Sequence, residues 1–415
     1  MPTDSAGDVA PPDDVVKRNE FFDGQGCVLL LGALTALDPL SIDMYLPAFD
    51  DIGTSLRTST ARVELSVSTF FVGMALGQLF YGPLADRFGR RRPLVAGMLV
   101  YLFATLGCAL APGIHSFIAF RFLQALGGCA GLVVVRAVVR DRFEKQRAAS
   151  FLSNMALVMG GAPILAPSVG SMINGIFGWR AIFIVLALAN AACMVSVVAF
   201  LPETGRPGGK PLRLSSVVES YVALLRDRKF VGYLIPDTAI RAGMFAYIAG
   251  SAFVFINLFH MPPGRYALLF GLNGCGLMLG SQVNRRLLRF FTADAILSWS
   301  VKIAAAAAAL VFAWTWAGLP HAIVLFSIFV FIATLNFVSP NSVASALASQ
   351  GHQAGTASAL YGCLQWSMAT VSSFLVSSLH DGTALPMTGV MLVCGIVSLA
   401  AFQVLVVAKV GPTRA

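Results

Sequence analysis

Twelve apolar runs, each close to the length a bilayer demands, constrain this 415-residue chain more than anything else in it. They lie at about 26–47, 64–84, 94–111, 116–138, 148–173 and 180–201, then 231–257, 265–284, 295–317, 319–341, 354–378 and 384–408. A helix needs about 20 apolar residues to cross the hydrocarbon core. A soluble domain carries about 25% charged residues. This chain carries 12%, against 57% hydrophobic, so a soluble enzyme of this size is excluded. Backbone groups in lipid must bond internally, and no alternating ten-residue pattern suggests a barrel. The expected fold is an all-α polytopic membrane protein: twelve transmembrane helices in two six-helix pseudo-symmetric halves.

Charge placement orients these spans. Of the 29 Lys and Arg, 21 fall in segments that would be cytoplasmic if the N-terminus is inside, and four (Arg57, Arg62, Arg180, Arg265) in outer segments. The positive-inside rule then puts both termini in the cytoplasm. The remaining four (Arg121, Arg136, Arg241, Lys302) lie within spans. The expected division is a cytoplasmic disordered tail at 1–25, an N-terminal half at 26–201, a cytoplasmic linker at 202–230, a C-terminal half at 231–408 and a tail at 409–415. Residues 1–25 are polar and acidic and lack a basic region followed by a cleavage site, unlike a signal peptide. The linker is rich in Pro, Gly and basic residues.

The seven cysteines are scattered without a C-x-x-C pair, so neither a disulfide framework nor a zinc site is expected. An ATP-driven pump is disfavoured because the nearest Walker-like stretch, G-R-P-G-G-K-P from Gly205, ends in Pro211. No H-E-x-x-H or nucleophile elbow supports a hydrolase, so the chain is not expected to be an enzyme.

After the second span runs G-P-L-A-D-R-F-G-R-R-R, from Gly82 to Arg92; G-S-Q-V-N-R-R-L-L-R from Gly280 echoes it after the eighth. Gly, an Asp/Asn position and two Arg positions coincide at an offset of 198, which suggests two repeats. The first loop resembles the signature loop of the major facilitator superfamily. That resemblance implies a cytoplasmic charge latch of Asp86, Arg90 and Arg91, with Gly82 allowing close helix approach and Asp141 as the partner of Arg90. A plain positive-inside anchor is the alternative. R-F-L-Q-A-L-G-G (Arg121, Gln124, Gly127, Gly128) resembles the fourth-helix motif of proton-coupled members. M-G-G-A-P-I-L-A-P-S-V-G (Gly160, Gly161, Pro163, Pro167, Gly170) resembles the fifth-helix antiporter motif, with Ala162 where Gly is usual. Ordinary packing glycines are the alternative there. S-I-D-M-Y-L-P-A in the first span, A-G-M-F in the seventh, and S-P-N-S-V-A-S-A-L-A with A-G-T-A-S-A-L-Y-G in the tenth and eleventh resemble the Bcr/CflA drug-resistance group.

Charges inside spans are functional candidates, since inserting one costs about 2.5–3.5 kcal/mol. If the first span ends near Pro47, Asp43 lies about 6 Å below the outer boundary, and Arg121 about 7.5 Å below it in the fourth. The two are therefore expected to pair, either as a proton-coupling site or as a permanent ion pair. Asp38 lies nearer the midplane beside Pro39, as a second proton site, a substrate contact, or a partner for a basic group. Asp237 and Arg241 share a face of the seventh span. They either neutralise each other or leave Arg241 to meet Asp38. The resemblance implies that the first, fourth, seventh and tenth helices line the cavity. Substrate contacts are accordingly expected among Asp38, Tyr45, Gln124, Asp237, Arg241, Tyr247, Asn336 and Asn341. Lys302 and Arg136 read as snorkelling to the inner surface, or Arg136 as joining the latch. His115, His260, His321 and His380 fall in outer turns and read as interfacial residues.

The expected function is proton-coupled antiport by alternating access, exporting small amphipathic drugs of bicyclomycin, chloramphenicol or sulfonamide type. The alternative is an exporter of a small metabolite or amino acid, or an uncoupled facilitator. No cofactor and no metal are expected, the proton gradient being the energy source. The expected partners are a small-molecule substrate, protons and the lipid bilayer, not nucleic acid. A monomer in the bacterial cytoplasmic (inner) membrane is expected.

Overall fold

A computed structural model describes residues 25–142, 161–162, 164–205, 214–318, 321–348, 350 and 354–407. Gly160 and Pro163 of the fifth-span motif lie outside the described residues. Among the described residues there is no strand. The first seven helices are α1 Gln25–Asp43, α2 Phe49–Ser55, α3 Thr60–Phe88, α4 Arg91–Ala109, α5 Ile114–Arg142, α6 Ile164–Phe177 and α7 Trp179–Phe200. Seven more follow: α8 Leu214–Arg226, α9 Arg228–Ala252, α10 Pro263–Leu287, α11 Ala293–Trp316, α12 His321–Ala348, α13 Ala354–Ser378 and α14 Leu385–Phe402. Nine membrane-length apolar helical segments are present among the described residues. Large apolar side chains such as Phe103, Leu188, Phe326 and Val393 are more than half exposed, as lipid-facing residues are.

Packing repeats across the two halves. The pairs α3–α5, α4–α5, α4–α7, α1–α5 and α1–α7 recur as α10–α12, α11–α12, α11–α14, α9–α12 and α9–α14. The halves meet chiefly where α3 packs on α13. Ile164 of α6 against Gly271 and Gly274 of α10 provides the symmetric counterpart.

Proline shapes the first span. Pro39 sits inside α1, and the helix stops at Asp43 because Pro47 cannot donate to the Asp43 carbonyl. A 3₁₀ turn at Leu46–Ala48 follows, then α2, whose first turn carries Asp50 and Asp51. Acidic residues suit that helix N-terminus. The membrane segment thus runs on to Ser55, past the boundary expected near residue 47. At this break α6 comes close: a Cβ on Gly170 would lie 1.8 Å from the Met44 carbonyl oxygen, so only glycine fits. Gly82 and Gly161 differ, since a Cβ on either would meet nothing within 4 Å among the described residues. The close helix approach expected at Gly82 is therefore absent.

The segment 202–230 is more than a polar linker. Its second part forms α8, which packs on α9 and α13. Leu214, Val217, Val218, Tyr221, Leu224 and Leu225 recur at helical spacing there. Asp227 then caps α9 by accepting from the Lys229 and Phe230 amides. At its other end α9 widens into a π turn, Phe253–Leu258, a distortion common at functional sites.

Candidate functional site

Between the halves lies a cavity of about 260 Å³. Its walls come from α1 (Thr35, Asp38, Pro39, Ile42, Asp43), α5 (Leu132), α9 (Arg241, Met244, Phe245, Tyr247, Ile248) and α12 (Ile332, Leu335, Asn336). Helices α10 (Phe270, Asn273, Gly274, Leu277) and α13 (Trp366) complete it. The helices that the resemblance implied do line it, and two more join them.

Two acids face this space. Asp38 and Asp43 are each 3% exposed. Both Asp38 oxygens and Asp43 Oδ1 are buried with no hydrogen-bond partner among the described residues. A buried carboxylate without a partner is costly. These groups therefore answer to a proton, a water or a cationic ligand. Gly128 on α5 makes room for Asp38: a Cβ there would lie 2.4 Å from Asp38 Oδ1.

Arg121 is not with them. No ion pair joins it to Asp43 among the described residues, which corrects the pairing expected from depth. The two do lie at a similar level, since the Arg121 guanidinium packs on the ring of Tyr45, two residues from Asp43, but Asp43 lines the cavity while Arg121 does not. Arg121 is fully buried inside the N-terminal half, with its guanidinium 4.2 Å from the Tyr45 ring, 4.4 Å from Phe70 and 5.8 Å from Phe183. Arg121 Nη1 donates to Gln124 Oε1 (2.5 Å), and Gln124 Nε2 donates to Thr105 Oγ1 (2.9 Å). Thr105 in turn donates to the Tyr101 carbonyl, and the Tyr101 hydroxyl bonds Ser41 on α1 (2.5 Å). A polar thread thus runs from α1 into the half to Arg121. The Tyr45 hydroxyl is committed to Ser66 (3.0 Å). Tyr45 and Gln124, expected at the substrate, are placed by these bonds in the N-terminal core, off the cavity wall.

In the C-terminal half the charges are tethered. Arg241 Nη2 lies 3.8 Å from Asp237 Oδ1 and bonds the Ser339 hydroxyl, leaving Nε without a partner. Asp237 is fully buried and accepts from the Tyr361 hydroxyl and Gln365 Nε2, both at 2.8 Å. Asp237 is an anchor behind Arg241 and does not line the cavity. Arg136 stands within electrostatic reach of Arg241. Lys302 is exposed on α11. Tyr247 accepts from Asn273 (2.8 Å), and Asn336 donates to the Leu277 carbonyl, so both lining polar groups are fixed by α10. Asn341 does not reach the cavity: its amide donates to Asn284 Oδ1 (2.9 Å) and the Phe337 carbonyl.

The loop between α3 and α4 holds its charges as expected. Arg90 Nη1 meets Asp86 Oδ1 at 2.6 Å and Nε meets Asp141 Oδ2 at 2.7 Å. Burial works against the Arg90 charge, but the bonds to Asp86 and Asp141 hold its guanidinium above its ordinary pKa. Arg91 departs from the expected latch, because its side chain donates to the Val198 carbonyl of α7. Glu203, absent from the sequence reading, accepts from the Arg90 amide (2.5 Å) and the Arg91 amide (3.1 Å). It covers Gly89, whose φ of 84° favours glycine. An isolated acid two residues beyond an apolar span was the available signal. Asn284, the echo of Asp86, pairs with Asn341, so the second repeat replaces an ion pair with a neutral hydrogen bond.

At the end opposite this latch, polar contacts join the halves. Asn257 Nδ2 donates to both oxygens of Asp50 at 2.9 Å, and the Ser68 and Ser373 hydroxyls bond at 2.8 Å. Glu64 Oε2 lies 3.9 Å from His380 Nδ1. Beneath them Phe71 packs edge-on against Phe245 (ring centroids 4.5 Å apart) and tilted against Trp366 (5.7 Å). The cavity is closed on that side.

Comparison with known proteins accounts for this architecture. The sequence profile of the Major Facilitator Superfamily matches residues 31–373. An "Uncharacterized MFS-type transporter YdgK" of Bacillus subtilis (strain 168) is 35% identical over 92% of this chain and 96% of its own. A "Bicyclomycin resistance protein homolog" of Haemophilus influenzae is 30% identical over 91% and 95%. Among solved structures, a POT family transporter in complex with a thioalcohol-conjugated peptide superposes with a TM-score of 0.76 at 13% identity, covering 96% of this chain and 99% of that one. At that identity it shows the shared fold alone. The chain belongs to the Major Facilitator Superfamily: it is a multi-pass membrane transporter of small molecules and not an enzyme.

Proposed function

We propose that this chain is a proton-coupled antiporter that exports small amphipathic drugs by alternating access, in the bacterial inner membrane. The carrying observation is the pair of acids on α1. Asp38 and Asp43 face a shared cavity with oxygens that no protein donor satisfies. Each gains from a proton or from a cationic group of the substrate, and burial makes that gain large. The broken α1 carries both acids at the seam between the halves, so their occupancy is coupled to the closure of the cavity. A proton and a substrate must each bind the two access states differently for exchange to follow. The mostly apolar remainder of the wall, including Met244, Phe245, Phe270 and Trp366, suits amphipathic compounds. The relative named for bicyclomycin resistance supports the drug class. The basic latch end is cytoplasmic in this reading, as positive-inside insertion requires. The closed end with Asp50 and Asn257 is then outward. The protein works as a monomer, without a cofactor, on the proton gradient.

One observation favours the second reading, export of a small zwitterionic metabolite. The cavity, at about 260 Å³, falls just below the usual range of ligand sites, about 300–1,000 Å³, and it sets acids on α1 against Arg241 on α9. Susceptibility of an efflux-deficient bacterium expressing the chain separates the two. Raised tolerance to bicyclomycin, chloramphenicol or a sulfonamide supports drug export. Unchanged tolerance to all three, with faster release of an amino acid, supports the metabolite reading.

A further inference from the structure

Glu64 has no place in the reading above, yet it is the most anomalous acid outside the cavity. It lies one turn into α3 with no solvent exposure, and among the described residues neither carboxylate oxygen has a hydrogen-bond partner. Its neighbour across the seam is His380, in the turn between α13 and α14, with Nδ1 3.9 Å from Oε2. That imidazole is itself wedged edge-on against Phe253 at the start of the π turn, centroids 4.3 Å apart. Acid and imidazole therefore belong to opposite halves, the acid fully buried and the imidazole 22% exposed.

Few other charges reach this point. On its own helix Arg62 is exposed. In the His380 turn, Asp381 is exposed, and the Thr383 hydroxyl and amide hold its carboxyl below the usual carboxylate range. On α2, Asp50 is bonded to Asn257, and Asp51 to Asn174. Helix α13 contains no Asp, Glu, Lys, Arg or His and offers Ser373 to Ser68 one turn below. Among the described residues Glu64 thus has one basic neighbour within ion-pair distance, His380, on the opposite half.

We infer that Glu64 and His380 form a second proton-binding site, a clasp across the outward end of the cavity that holds while the pair shares one proton and releases when it is lost. With one proton, taken from the outward medium, the pair is neutral overall, whichever group carries it. Without it a bare carboxylate is buried at the seam, and separation of the halves is the way to hydrate it. The clasp goes beyond the transport reading: it concerns closure of this end and requires neither a drug nor a role for Asp38 or Asp43.

The test is a distance measurement on the full chain in lipid nanodiscs, with the seven native cysteines replaced. Spin labels at Ser59→Cys and Ser378→Cys report opening by electron–electron double resonance. From about pH 5.5 to about pH 8.5, the range around histidine titration, the short distance should give way to a longer one. Glu64→Gln should remove this pH step and keep the short distance throughout. A Glu64→Gln protein that follows the unsubstituted pH step overturns the proposal. His380→Gln tests the clasp where the first variant does not fold. It should move the step to lower pH by about one unit, a tenfold change in proton affinity, and an unmoved step overturns the pairing. Neither readout needs substrate or a gradient, so failure here is distinct from failure of the antiport reading.

Discussion

Asp38 and Asp43 stand five residues apart on one broken helix, and both look into the cavity while Arg121 lies behind the wall. Each residue was visible as a charge in an apolar span. The Asp43–Arg121 partnership expected from the sequence failed because depth does not fix the face a side chain takes: Asp43 lines the cavity, whereas Arg121 packs on the Tyr45 and Phe70 rings inside the N-terminal half. Arg121 is held by rings and Gln124, so its planar guanidinium matters more than its charge. Arg121→Lys should lower thermal stability in detergent by about 1–2 kcal/mol through lost ring contacts. A melting temperature unchanged from that of the unsubstituted protein would contradict the ring box. In the latch, the Asp86 side chain is 54% exposed and Asp141 20%. Exposed pairs contribute little. Asp86→Asn should therefore cost under about 0.5 kcal/mol and Asp141→Asn about 1–2 kcal/mol. Equal losses in a melting series would show that burial does not rank the two partners. Glu203 and Glu64 were missed because neither carries a motif: one acts through backbone amides at a helix start, the other through a contact that only folding creates.

Among the elements, long helices were legible because their length and apolarity answer directly to the bilayer. What interrupts them was less so. Pro39 and Pro47 announced a break in α1, but where the helix resumes depends on α2 packing against α3. The π turn ending α9 has no proline and no glycine, so its residues gave no warning. Helix α8 was hidden by the Pro- and Gly-rich stretch before it, although its own apolar spacing was readable. Gly170 shows where a motif glycine earns its place, against the Met44 carbonyl, whereas Gly82 and Gly161 meet open space. Gly170→Val should push α6 off α1 and reduce transport at least about tenfold, equivalent to about 1.4 kcal/mol. Gly161→Ala should leave transport within about twofold, since a methyl group there meets nothing and costs only fractions of a kcal/mol. Initial rates for the two variants, normalised to membrane-inserted protein, check the contrast. Equal losses would contradict it.

Across the whole molecule, the repeat seen in sequence as one weak echo becomes a set of matching helix pairs in both halves. The offset of 198 even brings Asn284 to the place of Asp86, with Asn341 beside it. The cavity's location followed from which helices face the seam. Its contents did not, because side-chain rotation about α1, α5 and α12 decides who lines it. Tyr45, Gln124 and Asn341 turned away, while Asn273 and Trp366 turned in. Contacts at one end, Asp50 with Asn257 and Ser68 with Ser373, hold the halves together there, and the proposed alternating access requires them to break. Asp50→Asn weakens the charged member of this set. It should raise labelling of the cavity from the outward side in a cysteine-accessibility assay by about threefold, the effect of losing one partly exposed charge-assisted hydrogen bond. No change would remove that tether from the gate.

The central claim is that the cavity acids of α1 carry the proton. Its most direct measurement is drug uptake into proteoliposomes with an imposed pH gradient, comparing the unsubstituted chain with Asp38→Asn, Asp43→Asn and the double variant. The account predicts that the gradient accelerates uptake by the unsubstituted chain at least about tenfold, and that the double variant moves drug at the same slow rate with or without it. Gradient-driven uptake persisting in the double variant would contradict the account.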